Sequence, residues 1–191
     1  HYLVRGEKQA LALDNRGPLK FGANGQLHES IRGAYSRYGF YIFQGVLEKA
    51  ELDDLEADLE SIRGTFPARN GDALNPSGGP ALGYGHQALN LLWSAPLGDP
   101  LGGTELANGR HQVKLYEPEP ADNAPAEVPF LLLGSLQFSP ACLRTYAHPQ
   151  LLKVAESIHG NDFAPFNEAL FMKEPGLGAA VSWHQDGDTH W

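Results

Sequence analysis

From Glu48 to Arg63 apolar side chains return every three or four residues, at Leu52, Leu55, Leu59 and Ile62. Such a stripe is one face of a helix, and the chain must cover it with a second layer. Gly64 follows as a candidate C-terminal stop. A second stripe, Leu151, Leu152, Ala155 and Ile158, runs through Pro149–His159, with Pro149 suited to a first helical turn and Gly160 ending it. A shorter one, Leu27, Ile31, Ala34 and Tyr38, marks a helix over Gln26–Tyr38. The acidic face of the Glu48–Arg63 helix, with Glu51, Asp54, Asp58 and Glu60, is expected to be solvated.

Strand-like segments are short and lie mostly late in the chain. Phe40–Phe43 is aromatic and β-branched. Asn167–Lys173 and Ala179–Asp186 read as strands separated by a turn over Pro175–Gly178. Residues 1–25 read as an extended arm, 26–64 as helix, strand and helix, and 65–147 as loop-rich. Residues 148–191 read as a helix followed by the first core strands. Within the loop-rich part, His111–Leu115 is a candidate strand, and the prolines of Glu117–Pro129 give a solvated loop. Helices before strands within one domain predict an α+β chain.

Composition excludes several classes. A formal net charge of −9 with no basic cluster argues against nucleic acid as a partner. The single cysteine, Cys142, forms no internal disulfide and reads as a small buried hydrophobe rather than a nucleophile. The longest apolar run, Val128–Leu136, is far short of the roughly 20 residues that span a bilayer. Arg5, Glu7 and Lys8 interrupt any leader-like stretch at the start, so a cytoplasmic location is expected.

The chemistry concentrates in Ser182-Trp183-His184-Gln185-Asp186-Gly187. Side chains alternate along a strand, so His184 and Asp186 share a face. An imidazole beside a carboxylate holds a divalent metal, and with one more histidine it makes the facial triad of non-haem Fe(II) oxygenases. The triplet alone is a weak signal, and a surface His–Asp hydrogen bond at a strand end explains it more simply. Gly83-Tyr84-Gly85-His86 completes no phosphate-binding pattern, and no serine sits in a nucleophile elbow. His28, His111 and His159 stand alone in sequence and read as packed or solvated.

The surroundings of the triplet carry more. His148-Pro149-Gln150-Leu151-Leu152 opens a helix closing at Ile158-His159-Gly160. Asn167-Glu168-Ala169-Leu170-Phe171-Met172-Lys173 and Glu174-Pro175-Gly176 then lead into the triplet, and Trp191 follows it. Earlier, Tyr38-Gly39-Phe40-Tyr41-Ile42-Phe43-Gln44-Gly45-Val46-Leu47 lies between two helices. In this order of pieces the chain resembles the phytanoyl-CoA dioxygenase family.

The resemblance implies a double-stranded β-helix, a cupin-like jelly roll that is mainly β, with N-terminal helices packed on one side. It implies Fe(II) as cofactor, 2-oxoglutarate as co-substrate and O2 as oxidant. The expected reaction hydroxylates a small organic molecule and releases succinate and CO2. His184 and Asp186 become iron ligands. Gln185 points away from the metal and braces the strand or reaches the pocket rim. Lys173 lies where members of the family can contact the co-substrate, though a surface lysine is an equal reading. Trp191 lines the pocket or packs, while Met172 and Trp183 belong to the core. Related halogenases lack the carboxylate, so Asp186 favours hydroxylation.

The departure from the pattern comes at the end. The family's distal histidine and co-substrate arginine follow the triplet at a distance, whereas only Gly187, Asp188, Thr189, His190 and Trp191 follow here. His190 is too close in sequence for the distal role. The last part of the jelly roll is therefore expected beyond residue 191. Two other classes stay open: a non-enzymatic jelly-roll protein that binds a metal or ligand, and a cupin-type metalloenzyme that uses no 2-oxoglutarate.

Overall fold

The computed structural model describes residues 2–84, 91–100, 119–165 and 168–181. The chain divides into two compact units: residues 1–58 with 140–166, and residues 59–139 with 167–191. Helix and sheet are mixed in it, as the sequence predicts.

The first unit is mainly helical. It opens with α1, Tyr2–Leu11, where an extended arm is expected. The Gly, Asn and Pro breakers of residues 1–25 begin only at Asn15, and the preceding residues, apart from Gly6, are mostly good helix formers. No residue of α1 is buried, so local propensity sustains it. Strand β1, Arg16–Pro18, then pairs in parallel with β2, Ile42–Gln44, the expected Phe40–Phe43 strand shifted by one or two residues. Between them α2, Glu29–Tyr38, starts later than expected because His28 caps it, its Nδ1 accepting from the Ser30 N–H at 3.3 Å. Gly39, at φ 80°, ends it in the left-handed conformation that L side chains avoid.

Helix α3, Lys49–Gly64, matches its expected span to within one residue at each end. Burial deepens along its stripe: Leu52 is exposed, Leu55 and Leu59 are half-buried, and Ile62 is buried. Its acidic face is not simply solvated. Asp54 Oδ2 accepts from Arg144 Nη2 at 2.8 Å, and Asp58 Oδ2 accepts from the Ala141 N–H at 3.0 Å. Glu51 Oε1 lies 3.9 Å from His148 Nε2. Together these carboxylates face α4, Pro140–Tyr146, and the start of α5, Pro149–His159. Helix α4 was not legible in the sequence, whereas α5 has the expected bounds, with its proline in the first turn. Cys142 is buried on α4, as expected.

Asp58 therefore acts as a side-chain cap from outside the helix it serves. Asp58→Ala is expected to lower unfolding stability by about 0.5–2 kcal/mol, as loss of an N-terminal cap does, and Asp58→Asn to keep most of it. Denaturant midpoints of the two variants check this.

The second unit is built on a three-stranded antiparallel sheet in the order β3, Leu91–Ser94; β4, Val128–Leu133; β5, Ala169–Phe171. Strand β4 is central and carries the chain's longest apolar run, so the expected solvated loop of Glu117–Pro129 ends at Val128 rather than running through it. Pro129 has no N–H to give a ladder. It sits beside a register shift, where Leu92 pairs with Leu131 but Trp93 pairs with Pro129, and Phe130 is passed over. Phe130 turns fully inward, its ring edge-on to Phe171 at 5.6 Å between centroids. Phe130 and Leu131 pack with Ala179, and Leu132 packs with Ile62, Phe66 and Leu91. Strand β5 occupies only the centre of the expected Asn167–Lys173 segment. Ala179–Val181 is not a strand, and the rest of the expected Ala179–Asp186 strand, like His111–Leu115, lies outside the described residues. Among the described residues no helix is long and apolar enough to cross a membrane.

Candidate functional site

The residues expected to carry the chemistry come late in the sequence. His184, Gln185, Asp186 and Trp191 fall outside the described residues. Lys173 is described, and with it the chain from β5 to Val181.

That stretch is tightly fixed. Strand β5 lies against β4 with Leu131 opposite Phe171, Leu132 opposite Leu170 and Leu133 opposite Ala169. The Met172 N–H donates to the Phe130 carbonyl at 2.9 Å, which extends the pairing by one residue. The chain then turns over Pro175–Leu177. Leu177 and Gly178 both donate to the Glu174 carbonyl, at 3.0 and 2.7 Å. A Cβ at position 178 would stand 2.7 Å from Lys173 Cα, so only glycine lets the turn close this far. Lys173 Nζ donates to the carbonyl of Ala179, and Arg63 on α3 pairs with the Glu174 carboxylate. Ala179 is fully buried, packed with Phe130 and Leu131.

A second turn meets the first. The Leu97 N–H donates to the Leu177 carbonyl at 2.9 Å, and the Ala180 N–H donates to the Gly98 carbonyl at 2.6 Å. Leu97 adopts φ 56°, a region a bulky side chain enters only when its surroundings dictate it. Next to β5 runs a groove of about 320 Å³, lined by Ile62, Phe66, Phe171 and Met172 with Arg63 and Lys173.

No local sequence pattern marks Arg63, Leu97 or Gly98 as part of this arrangement. Gly178 was placed in the turn, but its contact with Lys173 depends on the fold. Of the isolated histidines, His28 proves to be a helix cap and His159 the last residue of α5; His111 lies outside the described residues. Among the described residues no cluster of three or more His, Cys, Asp or Glu side chains could hold a metal ion. The donor set of the triplet does fit Fe(II), since imidazole and carboxylate are the protein ligands that ion takes in facial-triad sites.

Comparison with known proteins adds one positive finding. The model of the phytanoyl-CoA dioxygenase family matches residues 35–190, which include the last turn of α2, strand β2, helices α3 to α5, all three strands of the second unit's sheet and the His184-Gln185-Asp186 triplet. No curated protein and no solved structure matches the chain.

Proposed function

The chain belongs to the phytanoyl-CoA dioxygenase family, and from that membership we propose that it is a non-haem Fe(II), 2-oxoglutarate-dependent dioxygenase hydroxylating a small organic molecule. The observation that carries the proposal is the triplet His184-Gln185-Asp186 inside the family match.

In this reading His184 and Asp186 hold the iron, His184 through a neutral ring nitrogen and Asp186 through a carboxylate that offsets part of the metal charge. The bound iron supplies oxygen activation at the expense of 2-oxoglutarate, which leaves as succinate and CO2. The chain's own part is to fix the two donors, place the substrate and keep water from the reacting carbon. Gln185 alternates away from the donors and braces their strand at the pocket rim. Trp191 offers the pocket an aromatic wall. Lys173 is the position at which members of the family can contact the co-substrate, and its ammonium here donates to the Ala179 carbonyl. The fold that goes with this activity is the jelly roll, to which the three-stranded antiparallel sheet of the second unit would contribute.

Oxygen uptake coupled one-to-one to succinate release, in the presence of Fe(II) and 2-oxoglutarate, tests the proposal on the full chain. Treatment with a chelator should abolish both signals, and added Fe(II) should restore both. A chain that binds metal but consumes no 2-oxoglutarate would refute the oxygenase reading in favour of a binding protein or another cupin-type enzyme.

A further inference from the structure

We propose that α1 is an exchanged arm: the α1 helix of one chain seats on the apolar groove along α5 of a second copy, and the reciprocal contact closes a two-fold dimer. This interface is separate from the iron chemistry. Helix α1 precedes residue 35, where the family match begins, and both surfaces belong to the first unit.

Local propensity favours α1, but its ten residues fall short of the roughly 12–15 that even good helix formers need in water. Leu3 and Ala10, like Val4 and Leu11, stand seven residues apart, which puts them on one side of the helix two turns from each other. Tyr2, Leu3, Val4 and Leu11 are between 59% and 81% exposed, and no residue of α1 is buried. Gly6, three residues after Leu3 and four before Ala10, weakens the helix further. It also gives the apolar side a low point, since nothing lies within 4 Å of where its Cβ would stand. Such a side is stable against a partner surface rather than against water.

The same unit presents the complementary surface. Along α5 runs an open groove of about 600 Å³, walled by Tyr146, Leu151, Leu152, Ala155 and Phe163, with Asp162 at its rim. A second hollow of about 330 Å³ shares Leu152 and Phe163 and adds Glu156 and Lys153. No residue of α5 is buried, although its sequence carries a full apolar stripe. No described residue of α1 lines either hollow, so the arm is not seated on its own chain.

The charges match as well. Among the described residues, the side chains of Arg5 and Lys8 on the arm and of Asp162 and Glu156 at the groove have no ion pair or hydrogen bond. Glu7, which shares the apolar side of α1, finds Lys153 on the rim. An amphipathic helix laid in an apolar groove is a common mode of recognition between proteins. A lipid surface would cover the arm and leave the groove open, whereas a second copy covers both. With one arm and one groove per chain, reciprocal exchange leaves neither open.

The test uses the full chain. Sedimentation equilibrium should show a dimer. Leu3→Asp with Leu11→Asp should weaken association by about a hundredfold or more, because each contact loses two buried leucines. Both leucines are exposed in the single chain, so the variant keeps the rest of its fold. Arg5→Glu with Lys8→Glu should also weaken the dimer, and adding Asp162→Lys with Glu156→Lys should recover most of the loss. Crosslinking gives the address: Leu3→Cys chains mixed with Ala155→Cys chains should form a disulfide-linked heterodimer, the native Cys142 being buried. A dimeric parent that yields no such heterodimer, or whose association ignores the leucine variant, would overturn the seat on α5. A monomeric parent would overturn the exchange itself. Binding of that monomer to vesicles containing phosphatidylserine, lost in the leucine variant, would assign α1 to a lipid surface instead.

Discussion

Replacing Asp186 by alanine is expected to abolish 2-oxoglutarate-dependent oxygen uptake, by more than about a hundredfold. The magnitude follows from comparison with milder changes: loss of a group that only orients a ligand costs about 10–100-fold, and loss of a ligand must exceed that. Two effects act together. In the proposed site the metal would lose an inner oxygen donor and with it the one anion the triplet supplies. Iron affinity and turnover should therefore fall in parallel. Asp122→Ala removes the same formal charge from an exposed loop position and should leave both intact. Oxygen-electrode traces with succinate quantified at the end, alongside calorimetric Fe(II) titration, measure the pair. Full turnover in the Asp186 variant would show that the carboxylate is not a ligand.

Phe130→Ala is the change expected to cost the fold most. Phe130 is completely buried on the central strand of the sheet, with its ring edge against Phe171 and its carbonyl receiving the Met172 N–H. Truncating a buried phenylalanine costs about 3–5 kcal/mol through lost transfer energy and the cavity left behind. That is a large share of the roughly 5–15 kcal/mol that hold an ordinary domain together. Tyr84, also aromatic but 65% exposed, should tolerate the same truncation within about 0.5 kcal/mol. Denaturant unfolding followed by far-ultraviolet circular dichroism compares them, and a loss below about 1 kcal/mol at Phe130 would mean that the sheet does not close over this ring.

The elements legible in the sequence were those whose signals are local. Helix α5 was readable throughout, because Pro149 fixes its first turn, Gly160 its end and four apolar residues its face. Helix α3 was readable in extent but not in its partners: no local pattern shows that Asp54, still largely exposed, meets Arg144 or that Asp58 receives the Ala141 N–H. Strand β3 passed unread, because Leu91-Leu92-Trp93-Ser94 is four residues without alternation, and its pairing with β4 spans more than thirty positions. At the candidate site the residue types of the triplet were legible and the route to them was not. Nothing in the order Lys173-Glu174-Pro175-Gly176-Leu177-Gly178-Ala179 announces that the lysine returns to the last carbonyl, or that Leu97 and Gly98 will meet the turn. Those contacts come from how the sheet folds, and a linear pattern does not encode them.

Strand β4 also bears on the life of the chain before it is folded. Cross-β stacking is favoured by apolar windows of about five to seven residues free of proline, and newly made chains expose such windows while their partners are still missing. Here Pro129 and Gly134 enclose Phe130-Leu131-Leu132-Leu133, an uninterrupted stretch of four. In the native sheet Pro129 marks the register shift and Gly134, at φ 77°, ends the strand. In the nascent chain the same two residues act as gatekeepers, keeping the most apolar segment too short to template self-association.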